Sequence, residues 1–129
     1  MGQTSRISFG LIAAIALTWA SSGYALAQDA TAGEKIYKKF CIACHALPGA
    51  GRNGIGPNLK SIVGRPAGTV DGFIGYSSAL KEAGITWTED KLDAWLNSPH
   101  DLVPSTRMIF MGLKSATDRA NLIAFLKSN

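Results

Sequence analysis

Cys41, Cys44 and His45 stand together in "KKFCIACHALPG", residues 38–49, and their spacing suits three kinds of chemistry. Two cysteines three positions apart can form a redox disulfide, as in thioredoxin-like proteins, where the pair follows a strand within a βαβ pattern. They can also supply half of a structural zinc site, which needs four ligands. With a histidine directly after the second cysteine, they can anchor a haem and offer the histidine to its iron. The rest of the chain separates these readings. No alternating strand pattern occurs anywhere, which counts against a thioredoxin-like unit. Beyond the motif and His100 there is no further Cys or His, so a zinc site would need the adjacent Cys44 and His45 to converge on one metal. Haem attachment asks only for what the motif has. A three-residue offset on a helical turn sets two thiols side by side, and His45 then projects toward the iron from one face. The motif predicts one covalently attached haem c.

The opposite face of such an iron can be open or filled by Met, His or another group. The candidates after the first 27 residues are Met108, Met111 and His100. Met108 and Met111 share the loop "VPSTRMIFMGLK", and spacing does not choose between them. His100 follows Pro99 and suits a solvated surface position.

These residues need elements to hold them. Residues 1–27 carry one charge, Arg6, then an apolar run from Phe9 to Ala20, then Ala25-Leu26-Ala27. A basic start, a short apolar run and an A-x-A end predict a secretory signal peptide cleaved after Ala27. The run falls well short of the ~20 residues that span a bilayer. Residues 28–129 then form one domain, exported to the periplasm, with no stable membrane insertion. Cleavage removes only Arg6 from the charge count, so the formal charge of +4 becomes +3. That is mildly basic, enough for weak steering toward acidic partners. No basic stripe with interleaved aromatics is present, which argues against nucleic-acid binding.

Within the domain, "TAGEKIYKKF" (31–40) opens on Thr-x-x-Glu, a capping box from Thr31 to Glu34, and runs as a helix into Cys41. Residues 47–75 are rich in Gly and Pro and predict loops with a short turn or two. "SSALKEAG" (77–84) predicts a short helix ended by Gly84. "TEDKLDAWLNSP" (88–99) has a Thr88 cap, an apolar set of Leu92, Trp95 and Leu96, and a stop at Pro99. Residues 100–114 read as another loop. "SATDRANLIAFLKSN" closes the chain with an apolar stripe of Leu122, Ile123, Phe125 and Leu126. Loops of this length are uncommon in a compact domain unless they enclose something. A domain this small also needs a cofactor or disulfides for stability, and a Cys41–Cys44 bridge would close only a tiny loop.

Beyond the motif, the order "CIACH", "GIGPNLKSIVGRPAG", "GFIGYSSALKEAGITW" and "WLNSPHDLVPSTRMIFMGLKSATDRANLIAFLK" resembles class I cytochrome c of the mitochondrial and small bacterial type, over nearly all of residues 31–127. The resemblance implies an all-α cytochrome c fold, three to five helices with long loops wrapped around one covalently attached haem. It places Met108 at the methionine ligand, opposite His45. It makes Pro57 the residue whose carbonyl accepts the His45 ring N–H. It assigns Tyr76 and Trp87 to hydrogen bonds with a haem propionate, and Arg65 to balancing its charge. Trp95 stands where an aromatic, usually a tyrosine, packs beside the methionine, and Thr106 where a threonine sits in the ligand loop. Gly33 and Tyr37 match first-helix positions that pack on the last helix. Ser105 departs from the usual glycine. His100 and Asp101 replace lysines of mitochondrial relatives, so a strong basic docking ring is not expected.

The function implied is a soluble mono-haem carrier that shuttles single electrons between respiratory or other redox partners. It would be a monomer that docks transiently and by weak electrostatics, without substrate chemistry of its own. The alternatives are a dedicated electron acceptor or subunit of a periplasmic dehydrogenase, or a haem protein with an open site for peroxidase-like or gas-binding activity.

Overall fold

The computed structural model of the protein describes residues 1–2 and 28–129. The leader expected over residues 1–27 therefore lies, apart from Met1 and Gly2, outside the described residues. Among the described residues, five α-helices follow one another: α1 (Ala30–Phe40), α2 (Ser78–Glu82), α3 (Glu89–Asn97), α4 (Pro99–Leu102) and α5 (Ala116–Lys127), with one 3-10 turn at Pro48–Ala50. The architecture is all-α, as the sequence implies. No described helix is long and apolar enough to cross a membrane.

Four of the five α-helices, all but α4, start where the sequence offers a side-chain acceptor to the first free N–H groups. Thr88 caps α3 through Lys91, and Ser115 caps α5 through Asp118. The start of α1 differs from the expected box. Asp29 is the cap, accepting from the N–H groups of Thr31 and Ala32, and Thr31 lies inside the helix. A carboxylate at that end also meets the positive end of the helix dipole, which a threonine cannot do. A second difference lies in the segment expected as loop from residue 100. There Pro99 opens α4, its ring occupying the first helical turn, where no N–H is needed.

Helix α1 packs across α5, and α3 packs against both α5 and α4. The α1–α5 crossing is close because Gly33 has no side chain. A Cβ there would sit 2.6 Å from the carbonyl carbon of Asn121 and 2.8 Å from Cβ of Phe125. Tyr37, fully buried one turn further on, meets Phe125 with ring centroids 5.3 Å apart. Asn121 closes the crossing by accepting the N–H of Asp29 at 2.9 Å. At the other side of α5, Arg119 holds Asp93 of α3 at 2.7 Å and the carbonyls of Leu113 and Lys114 at 2.8 and 3.0 Å. One guanidinium thus ties the loop after Met108 to two helices.

The long loops fold back over the face of this frame. A short antiparallel bridge joins Pro66 to Thr86, with Trp87 N–H donating to the Arg65 carbonyl at 2.9 Å. It fixes two distant loop residues side by side. Ser105 keeps negative φ; Ser61 is the sole non-glycine with positive φ among the described residues. The replaced glycine therefore leaves no left-handed strain in the loop before Met108.

Candidate haem site

Helix α1 ends at Phe40, and the next turn is built by the N–H groups of Cys44 and His45, which both donate to the Cys41 carbonyl at 3.1 and 2.8 Å. Three successive carbonyls then find donors from elsewhere in the chain. Gly56 N–H donates to Cys44 at 2.8 Å. The Tyr37 hydroxyl donates to Ala46 at 2.6 Å, with the His45 carbonyl 3.3 Å away. The backbone that carries the motif is held on both sides.

The His45 ring is buried and makes one hydrogen bond, from Nδ1 to the Pro57 carbonyl at 2.7 Å. A carbonyl can only accept, so Nδ1 carries the proton and Nε2 keeps its lone pair. Burial lowers the ring's pKa and outweighs the opposing pull of the Pro57 carbonyl, which favours the neutral ligand form. Gly56 lies flat against this ring: a Cβ at that position would be 2.6 Å from Cε1. Any side chain there would push the imidazole out of place.

His45 forms part of the wall of a cavity of about 250 Å³, and all ten site residues named from the sequence line it. Cys41, Cys44 and His45 come from the turn after α1, Pro57 and Arg65 from the loops, Tyr76 and Trp87 from either side of α2. Trp95 comes from α3, and Thr106 and Met108 from the loop before α5. Apolar side chains of α3 and α5 (Leu92, Leu96, Leu122 and Leu126) complete it. A mostly apolar hollow with a few placed polar groups is the form expected of a cofactor site.

The polar groups are already oriented. Arg65 donates to the carbonyls of Lys60 and Asn58 at 2.8 and 3.0 Å and has no carboxylate partner among the described residues. Burial lowers its pKa, so it is a cation that gains from a negative group in the cavity. The Tyr76 oxygen accepts from Val70 N–H at 3.3 Å, which leaves its own proton to donate. Thr106 is buried, and its oxygen accepts from Met108 N–H at 3.3 Å. Trp87 and Trp95 meet at 5.1 Å between centroids, their planes tilted by 60°. His100 and Met111 are exposed and do not line the cavity.

Both cysteines are free thiols. Burial first, and the neighbouring Cys44 second, push the Cys41 thiol up to about 11. A structural zinc site would want thiolates converging on one point. Among the described residues no three His, Cys, Asp or Glu side chains are grouped to hold a metal ion.

The cytochrome c family model matches residues 30–129. The chain belongs to the cytochrome c family. It is 45% identical to cytochrome c2 of Rhodomicrobium vannielii over 111 residues, 86% of each chain. It is 39% identical to cytochrome c2 of Blastochloris viridis over 122 residues, covering 95% of this chain and 91% of the relative. Among solved structures, cytochrome cH from Methylobacterium extorquens superposes with a TM-score of 0.72 at 42% identity, over 78% of this chain and 99% of that one. The cofactor of this cytochrome c is one covalent haem c. The residues present fit it: two free thiols beside a neutral imidazole with an open Nε2, a thioether in the same apolar cavity, and a half-buried guanidinium, without a carboxylate partner among the described residues, for an acidic edge.

Two contributors to the site were not legible as such. Tyr37 reads as a packing aromatic, and its hydroxyl bond to the motif's backbone depends on tertiary position. Gly56 had a usable signal, a glycine directly before Pro57 in a loop expected to approach the histidine.

Proposed function

We propose that the chain is an exported mono-haem electron carrier whose iron is held between His45 and Met108. The observation that carries the reading is the pairing of a pinned, neutral imidazole and a half-buried thioether in one apolar cavity. When bound, the haem supplies one iron that accepts and returns a single electron. Cys41 and Cys44 anchor it through thioether bonds. Pro57 and Gly56 fix the His45 ring so that Nε2 is presented without rotation. Thr106 holds the backbone of Met108, and Trp95 packs in the same wall. Arg65, with Tyr76 and Trp87, binds the acidic edge and balances its charge. With His45 and Met108 both engaged, the iron would offer no place for substrate, and on this reading the protein would carry out no turnover of its own. A His/Met pair in an apolar cavity favours a higher potential than a bis-His or exposed site.

The partners are other redox proteins, met by small transient contacts. The mildly basic charge steers these encounters weakly, and the carrier works as a monomer in the periplasm after the leader over residues 1–27 is removed. Absorbance of the oxidised protein tests the ligand pair. The weak far-red band of a methionine-ligated ferric haem is expected in the unaltered protein and in Met111→Ala, and lost in Met108→Ala. The reverse pattern, or ready carbon monoxide binding by the unaltered reduced protein, would overturn the reading.

A further inference from the structure

The loop that carries Met108 is hydrogen-bonded at its two ends and not between them. Before Met108, Thr106 N–H donates to the Val103 carbonyl at 3.0 Å, and the Thr106 hydroxyl oxygen accepts from Met108 N–H at 3.3 Å. From Ile109 through Gly112, no backbone group is hydrogen-bonded to another described residue. The next anchor is the end of α3. Leu113 N–H donates to the Leu96 carbonyl at 2.7 Å, and the Lys114 ammonium donates to the Asn97 carbonyl at 2.8 Å. These belong to the last carbonyls of α3, for which the helix has no donor of its own. Gly112, at φ +89°, permits the approach: a Cβ there would press on the Asn97 carbonyl, 2.7 Å from its carbon.

Arg119 of α5 locks this anchor. Its Nη1 donates to the carbonyls of Leu113 and Lys114 at 2.8 and 3.0 Å, while its Nε donates to Asp93 of α3 at 2.7 Å. The side chain is 11% exposed, where solvent screens charge-assisted bonds least. Asp93 does not line the cavity, and its side chain bonds only to Arg119 among the described residues. A second ion pair, Lys127 with Glu89 at 2.6 Å, joins the same two helices but makes no bond to the loop.

We propose that Arg119, oriented by Asp93, is a positioning residue for the redox centre: it holds the segment after Met108 on α3 and so sets how readily Met108 leaves the iron. The inference rests on the His45/Met108 reading. With hydrogen bonds only at its two ends, the loop can carry the thioether out of the cavity once the later end is released. A lysine in place of Arg119 keeps the charge but has one nitrogen, which cannot reproduce the planar fork that reaches Asp93 and two carbonyls together. Loss of the Asp93 carboxylate leaves the carbonyl bonds but frees the guanidinium to turn.

Imidazole added to the oxidised holoprotein tests this, because it competes for the position that Met108 vacates. Its apparent affinity scales with the fraction of molecules in which Met108 is detached. Arg119→Lys should raise that affinity roughly tenfold, the worth of one bond from a charged donor to the loop. Asp93→Asn should raise it by less. Adding Asp93→Asn to Arg119→Lys should change little further, as for two residues that act through one contact. Glu89→Gln, which breaks the other α3–α5 pair, should leave the affinity unchanged. Hydrogen exchange of the Leu113 amide should quicken in the Arg119 and Asp93 variants and not in Glu89→Gln. An affinity unchanged in both Arg119→Lys and Asp93→Asn would overturn the proposal. So would an equal rise in Glu89→Gln, which would mark a general loosening of the helices. A far-red band missing from the unaltered protein before imidazole is added would overturn the ligand assignment, and the proposal with it.

Discussion

His45 is fixed from two directions, and the second of these is the less obvious. Its ring is held by Pro57 at 2.7 Å, but its backbone is held by Tyr37, a residue eight positions earlier whose hydroxyl reaches Ala46 at 2.6 Å. Burial pushes the Tyr37 phenol well above its usual pKa, with a smaller push from Cys41, so it stays a neutral donor at any working pH. Tyr37→Phe keeps the ring against Phe125 and removes only the donor. The Ala46 carbonyl is then left without that partner, which costs about 1–3 kcal/mol. Chemical denaturation of the haem-loaded protein should register a loss in that range, with ligation unchanged. A variant as stable as the parent would mean that water or a shifted backbone replaces the bond.

The helices position this residue chemistry, and the α1–α5 crossing is the joint most sensitive to a single methyl group. In an exposed helix, glycine to alanine gains about 1 kcal/mol from propensity. At Gly33 the added Cβ would meet the backbone of Asn121 at 2.6 Å, and backbone cannot rotate away as a side chain can. Overpacking of this kind costs roughly 1–3 kcal/mol, so the crossing should win over propensity. Gly33→Ala is expected to lower the denaturation midpoint of the haem-loaded protein; a raised midpoint would show that α1 can move outward freely. Elements were legible in the sequence where local rules and tertiary packing agree. The Thr88 and Ser115 caps and the apolar sets of α3 and α5 are such cases. The start of α1 was misassigned because two acceptors compete there, and the carboxylate of Asp29 wins over the Thr31 hydroxyl. Helix α4 was missed because a proline after a helix is read as a stop, although the same ring also suits the first turn of a new one. Met108 could not be told from Met111 by spacing. Met108 is half-buried and Met111 exposed because of the path the loop takes over the helices, which no local pattern encodes.

At the scale of the molecule, the loops enclose a hollow that the polypeptide does not fill. Residues spread from Tyr37 to Leu126 build its walls, and the core aromatics Tyr37, Trp87 and Trp95 all border it. Leu92, Leu96, Leu122 and Leu126 face that hollow, and covering such apolar surface with haem contributes about 25 cal/mol per Å² removed from water. The whole stability of a domain of this size is only roughly 5–15 kcal/mol, so that contribution is large beside it. The fold and the cofactor are therefore one thermodynamic unit, and the long Gly- and Pro-rich loops are stable only as a wrapping. A protein carrying Cys41→Ser and Cys44→Ser, freed of haem, should lose the near-ultraviolet circular dichroism of the Trp87–Trp95 pair. Much of its far-ultraviolet helix signal should go as well, and its denaturant transition should broaden toward that of a collapsed, loosely packed chain. Retention of both signals, with a sharp transition at the midpoint of the haem-loaded protein, would show that the frame of α1, α3 and α5 supports the loops unaided.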